Sequence, residues 1–121
     1  MQTSILWIRK ENYTIIEFLL QKFNLYETSK LLSYIESSLA ESGYTDIIID
    51  FKNIKIIDSS GIGTMIALQS RLKKFDKEMV LVCDNDTILK VFRITKMFDF
   101  FKIFKSMQEA DLYFSPTNTA G

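Results

Sequence analysis

Three consecutive isoleucines, Ile47-Ile48-Ile49, sit at the centre of a short apolar segment running from Tyr44 to Phe51. β-Branched side chains are stiff in a helix and fit a pleated strand. Successive strand residues point to opposite faces, so three consecutive apolar β-branched residues describe a strand whose centre is buried on both. A strand of that kind needs other layers packed over it, and the flanking segments supply them.

Ile5 to Arg9 and Tyr13 to Leu20 are β-rich and are separated by the polar turn Lys10-Glu11-Asn12, which predicts a hairpin. Glu27 to Ser42 carries Leu31, Leu32, Ile35 and Leu39 at helical spacing, with Gly43 placed just past the helix end. After the central strand, Ile54 to Ile57 leads into Asp58-Ser59-Ser60-Gly61. A second helix follows from about Ile62 to Phe75, with Ile62, Met65, Ile66, Leu68, Leu72 and Phe75 on its apolar face. Glu78 to Cys83 is another short apolar strand. Asp84-Asn85-Asp86 turns the chain, and Asp86 is expected to cap a third helix through Ile88, Leu89 and Phe92. The aromatic stretch Phe98 to Phe104 ends in an edge strand. Ser106-Met107-Gln108-Glu109 reads as a capping box opening a last helix to about Phe114. The order β-β-α-β-α-β-α-β-α implies an α/β fold: one domain over residues 1–114, with a mixed, mostly parallel sheet, an N-terminal hairpin and about four helices. Residues 115–121 form a polar tail expected to be disordered.

The bulk properties exclude several functions. The chain has 121 residues, which suits one domain, and 47% of them are hydrophobic, enough for a core. Lys+Arg and Asp+Glu both number 15, so there is no basic footprint for nucleic acid or an anionic membrane. No signal peptide is evident, and no apolar run approaches the ~18 residues that span a bilayer. The expected location is the cytoplasm. There is no histidine and only one cysteine, Cys83. A Ser-His-Asp triad, a Cys-His pair and a zinc site of the usual ligands are therefore unavailable. No cofactor is implied.

The chemistry concentrates in Ile56-Ile57-Asp58-Ser59-Ser60-Gly61-Ile62-Gly63, where a buried strand meets a helix. Binding sites in open α/β sheets form at the carboxyl ends of strands. A helix N-terminus offers unpaired N–H groups and partial positive charge, so a phosphate on Ser59 or Ser60 would be partly stabilised there. Local chemistry alone favours a plainer reading: Asp58-Ser59-Ser60 is a helix cap and Gly61 eases a tight turn. The segment is not a Walker loop, since no Gly-Lys-Ser/Thr follows, and it lacks the Gly-x-Ser-x-Gly frame of a nucleophile elbow.

The stretch from Ile47 through Asp50-Phe51-Lys52-Asn53 to Asp58-Ser59-Ser60-Gly61-Ile62-Gly63 resembles the signature of the anti-sigma factor antagonists, the STAS type. The resemblance continues through Lys77 to Cys83, Val91 to Phe98 and Ser106 to Ala110, covering roughly residues 5 to 114. It implies a binding protein and not an enzyme. Unphosphorylated, such a protein binds an anti-sigma factor, a serine kinase of the GHKL type, and so frees a sigma factor. The kinase phosphorylates the first serine after the motif aspartate, here Ser59, with Ser60 the weaker candidate. That breaks the complex, and a PP2C-type phosphatase restores it. The family often has an aspartate before the first helix, near the phosphorylation turn. Gln21-Lys22-Phe23-Asn24 stands at that place, so Asn24 keeps a carbonyl acceptor without the charge. The implied partner surface comprises Asn24, Asp58, Ser59, Ser60, Gly61, Ile62 and Thr64. Thr64 is expected off the apolar face of its helix, and Ile62 at the rim.

Other residues have plainer readings. Cys83, in an apolar strand, is a buried structural thiol. Asp84-Asn85-Asp86 lacks the glycine and distal glutamate of a calcium loop. Arg71-Leu72-Lys73-Lys74 closes a helix, where cations suit the dipole. Phe98, Phe100, Phe101 and Phe104 are mostly core, with one or two of them, like Trp7, candidates for an exposed patch. Two other functions compete with partner switching. One is a STAS binding subunit of a lipid-transport or stressosome-like complex without the switch. The other is a hydrolase using Ser59 or Ser60, which lacks a histidine to activate it.

Overall fold

A computed structural model describes residues 4–23 and 25–115; Asn24 and the tail from Pro116 onward lie outside the described residues. The elements are β1 (Ile5–Arg9), β2 (Tyr13–Phe18), β3 (Lys22–Phe23), α1 (Leu25–Ser42), β4 (Asp46–Asp50), β5 (Ile56–Ile57), α2 (Ser59–Lys74), β6 (Met79–Val82), α3 (Asp86–Ile94), β7 (Lys102–Phe104) and α4 (Met107–Phe114). The isoleucine run forms the middle of β4, where Ile47, Ile48 and Ile49 are all fully buried. β4 lies at the centre of a five-stranded sheet ordered β1-β2-β4-β6-β7. β1 and β2 pair antiparallel, and β2, β4, β6 and β7 run parallel. The mixed, mostly parallel sheet with its N-terminal hairpin and four helices is the architecture expected from the sequence.

The period-two alternation divides the core. On one face Ile16, Phe18, Ile47, Ile49 and Leu81 pack under α1, α2 and α3. Leu31, Ile35 and Leu39 of α1 and Met65, Leu68 and Leu72 of α2 recur at helical spacing and point inward. On the other face Tyr13, Ile15, Ile48, Val80 and Val82 meet Ala110 of α4, flanked by Met107 and Phe114. Aromatic rings knit the first face. Phe18 lies 4.8 Å from Phe23 between centroids, Phe23 lies 6.1 Å from Phe51, and Phe51 lies 6.3 Å from Phe92. Of the C-terminal phenylalanines Phe101 is buried, Phe98 and Phe104 are half-buried, and Phe100 is exposed.

Several local features differ from the sequence reading. β3 is absent from it, because two residues carry no periodicity; the strand forms a small parallel pair with β5, in register Lys22↔Ile56 and Phe23↔Ile57. The cap of α3 is Asn85 and not Asp86: Asn85 is extended, and its side-chain oxygen accepts from the N–H groups of Thr87 (2.8 Å) and Ile88 (3.3 Å). Asp86 is already in the first turn, where its charge suits the helix dipole. Ser106 caps α4 by accepting from the Glu109 N–H at 3.2 Å. The Glu109 carboxylate reaches back to the Lys105 N–H, at 3.3 Å, one residue before the cap. Phe75 leaves the apolar face of α2 and stacks outside on Tyr44, with centroids 3.8 Å apart.

Candidate functional site

The turn at residues 58–64 is built by three elements that the topology brings together. β5 enters it, α2 leaves it, and β3 lies alongside. The Asp58 N–H donates to the Phe23 carbonyl at 3.4 Å, and the N–H groups of Lys55 and Ile56 donate to the Gln21 carbonyl at 2.7 and 3.1 Å. The chain before α1 is thereby laced to the turn.

α2 starts at Ser59, three residues earlier than its apolar periodicity indicates. Asp58 is the cap: it is extended, and its carboxylate accepts from the Gly61 N–H at 3.0 Å. Ser59 and Ser60 are therefore the first two helical residues. Helix geometry gives their N–H groups no partner within the helix. The Ser59 hydroxyl makes no hydrogen bond among the described residues, and the residue is exposed; Ser60 is half-buried. Gly61 is a close-packing position. A Cβ there would lie 2.7 Å from the Phe23 carbonyl oxygen and 2.8 Å from both Ile57 Cγ1 and Phe23 Cδ2.

Ile62 and Thr64 sit deeper than the sequence indicates, at 4% and 8% exposure. Thr64 is held inward by its hydroxyl, which donates to the Ser60 carbonyl at 3.0 Å. The surface beside Ser59 comes instead from Ile56, 55% exposed, and from the open face of Gly63. Sequence reasoning misses Ile56 because its residue type alone groups it with Ile54 and Ile57 as core. The available signal is the Lys55 interruption: Ile54 and Ile57 are buried while Lys55 and Ile56 face solvent.

A separate cleft of about 560 Å³ opens at the carboxyl ends of β4 and β6, lined in part by Asp50, Lys52, Asp84, Lys105 and Met107. No residue of the 58–64 turn lines it. Burial pushes the Asp50 carboxyl above its ordinary value, against the Lys52 N–H that its Oδ1 accepts at 3.0 Å. Cys83 is buried, and burial also pushes its thiol up, which leaves it a poor nucleophile.

A family model, the STAS domain, matches residues 13–110 and so takes in most of the chain and the whole turn. The chain belongs to the STAS domain family. Among curated proteins, the anti-sigma-B factor antagonist of Staphylococcus aureus is 28% identical over 68 residues, which are 56% of this chain and 63% of that protein. The match thus spans less than two thirds of the relative's length. Among solved structures, an anti-sigma-factor antagonist (STAS) domain protein from Planctomyces limnophilus superposes with a TM-score of 0.79 at 19% identity, covering 91% of this chain and 97% of that one. The unphosphorylated form of the anti-sigma factor antagonist SpoIIAA gives 0.72 at 18% identity, covering 88% and 93%. At these identities the superpositions establish the shared STAS fold. No helix among the described residues of this STAS domain is long and apolar enough to cross a membrane.

Proposed function

We propose that this STAS domain is an anti-sigma factor antagonist of the cytoplasm, switched by phosphorylation at Ser59. It binds an anti-sigma factor serine kinase of the GHKL type when unphosphorylated, is released on phosphorylation, and is restored by a PP2C-type phosphatase. The observation that carries this reading is the state of Ser59: exposed, free of capping duty because Asp58 fills that role, and adjacent to Ile56 and Gly63 on an open surface. Ser60, half-buried, is the weaker acceptor.

The switch follows from charge. A phosphoserine adds about −1.5 to −2 charge at neutral pH. At Ser59 the unpaired helical N–H groups favour that charge, while the Asp58 carboxylate beside it opposes it. Within a contact surface the same charge must be desolvated, and it opens the interface. The docking surface comprises Ile56, Asp58, Ser59, Ser60 and Gly63, with Asn24, outside the described residues, joined to it by the family resemblance alone; Gly61, Ile62 and Thr64 act from behind it by fixing the turn. The chain has no histidine to activate the serine hydroxyl, so base and ATP come from the partner.

The test is incubation of the full chain with its cognate kinase and ATP, followed by site mapping by mass spectrometry and pull-downs with Ser59→Ala and Ser59→Asp. Phosphate on Ser59, retained binding by Ser59→Ala and weakened binding by Ser59→Asp are expected. Phosphate only on Ser60, or on neither serine, overturns the assignment.

A further inference from the structure

β1 is one edge of the sheet, and its outer side is unpaired among the described residues. The register identifies the groups involved. Leu19 N–H donates to the Ser4 carbonyl and Lys10 N–H to the Tyr13 carbonyl, so residues 4, 6, 8 and 10 direct their backbone groups at β2. The N–H and C=O groups of Ile5, Trp7 and Arg9 therefore point away from the sheet. Natural edges are blunted by prolines, bulges or inward-pointing charges. Across Ile5–Arg9 there is no proline, the one charge, Arg9, stands at the strand's end, and Leu6 and Ile8 are 44% and 37% exposed on the face away from α1.

We propose that this edge pairs with a second copy of the chain, antiparallel, about a two-fold axis through Trp7. In that register Ile5 faces Arg9 of the second copy, Trp7 faces Trp7, and every outward N–H and C=O of these residues finds its complement. Leu6 falls opposite Ile8 of the second copy in the closely spaced type of pair, about 4.5 Å between Cα atoms. The exposed aliphatic side chains of both strands then form one cluster, continued inward by buried Ile15, the β2 partner of Ile8. On the other face a cleft of about 250 Å³, bordered by Trp7, Arg9, Tyr34 and Glu41, leaves room for the second indole.

The strand itself selects this occupant. Arg9 is its only charge and opposes an isoleucine, so no like charges meet. Pairing with the opposite edge is disfavoured, since β7 has three residues and an exposed lysine, Lys102, whereas pairing of β1 with itself closes as a two-fold dimer. The contact is short, so the dimer is weak and concentration-dependent. It does not depend on the Ser59 switch.

Sedimentation of the full chain over a concentration series tests it. The mass is expected to rise from the 14.1 kDa chain toward twice that value. Leu6→Lys with Ile8→Lys sets lysine against lysine at two exposed positions; it is expected to keep the circular dichroism of the wild type and to raise the dissociation constant roughly tenfold or more. Register is read by oxidation: an equimolar mixture of Leu6→Cys and Ile8→Cys chains should cross-link to each other in preference to themselves, because like positions are diagonal neighbours about 7–8 Å apart. A monomer at all concentrations up to about 1 mM overturns the proposal. So does a dimer that survives the lysine variant, or cross-linking without preference for the 6–8 pair.

Discussion

Replacing Gly61 with alanine puts a carbon 2.7 Å from the Phe23 carbonyl oxygen and 2.8 Å from the Phe23 ring and the Ile57 side chain. None of these can retreat. The oxygen belongs to the backbone that accepts the Asp58 N–H, and the Phe23 ring is fully buried between Phe18 and Phe51. The first turn of α2 must lift, which strains the Gly61 N–H bond to Asp58. Overpacking of this kind costs about 1–3 kcal/mol. The better helix propensity of alanine offsets at most about 1 kcal/mol of it. Gly63, two residues on, is the control: a Cβ there meets nothing within 4 Å, and the site is exposed and helical. Gly63→Ala is expected to stabilise by about 0.5–1 kcal/mol. Alanine's propensity gain is common to both variants, so urea denaturation at constant slope is expected to place Gly61→Ala below Gly63→Ala by the overpacking cost, roughly 1–3 kcal/mol. Gly61→Ala matching Gly63→Ala in stability would refute the close-packing account. The pair also separates fold from docking, since Gly63→Ala is expected to be more stable yet to bind the proposed partner less well.

Asp58→Ala removes the α2 cap and should cost about 0.5–2 kcal/mol in thermal or chemical denaturation, with Asp58→Asn recovering most of the loss. For Asp50 the folded carboxyl titrates above the ordinary 3.8, so between the two values the native state holds a proton that the unfolded chain has released. Stability attributable to this group is greatest below that value, falls as pH rises through the raised pKa, and stays lowered above it; Asp50→Asn, which keeps an acceptor for the Lys52 N–H, should remove this part of the slope in denaturation midpoints collected across acid to neutral pH. The Tyr113 hydroxyl donates to Glu78 at 2.7 Å, a bond that helps push its ionisation up to about 12. Glu78→Gln should return it toward 10.0 in a spectrophotometric titration.

How far the sequence discloses the structure depends on the length of each signal. Ile47-Ile48-Ile49 requires burial on two sides, and β4 with helices over both faces satisfies it. The helices are legible from their spacing, but their starts are not. α2 begins before its first apolar residue because Asp58 can fold back on the Gly61 N–H, a matter of one side-chain torsion. β3 is invisible because its formation depends on a neighbour 34 positions away in register, not on its own two residues. Thr64 misleads for the opposite reason. A hydroxyl argues for the surface until it satisfies itself on the Ser60 carbonyl, after which the residue can be buried. At the turn the residue types announce a site, whereas the exposure of Ile56 becomes apparent only in three dimensions.

The small β3–β5 pair has a consequence for how information leaves the turn. With Asp58 tied on its main chain to Phe23 and on its side chain to Gly61, the segment behaves as a fixed stamp rather than a hinge. A group added at Ser59 has little local backbone freedom through which to dissipate its charge by rearrangement. The same rigidity lowers the ordering entropy lost when another molecule settles on the turn. A covalent mark on such a surface is therefore read from outside, by the molecule that touches it, and need not be transmitted through the fold at all.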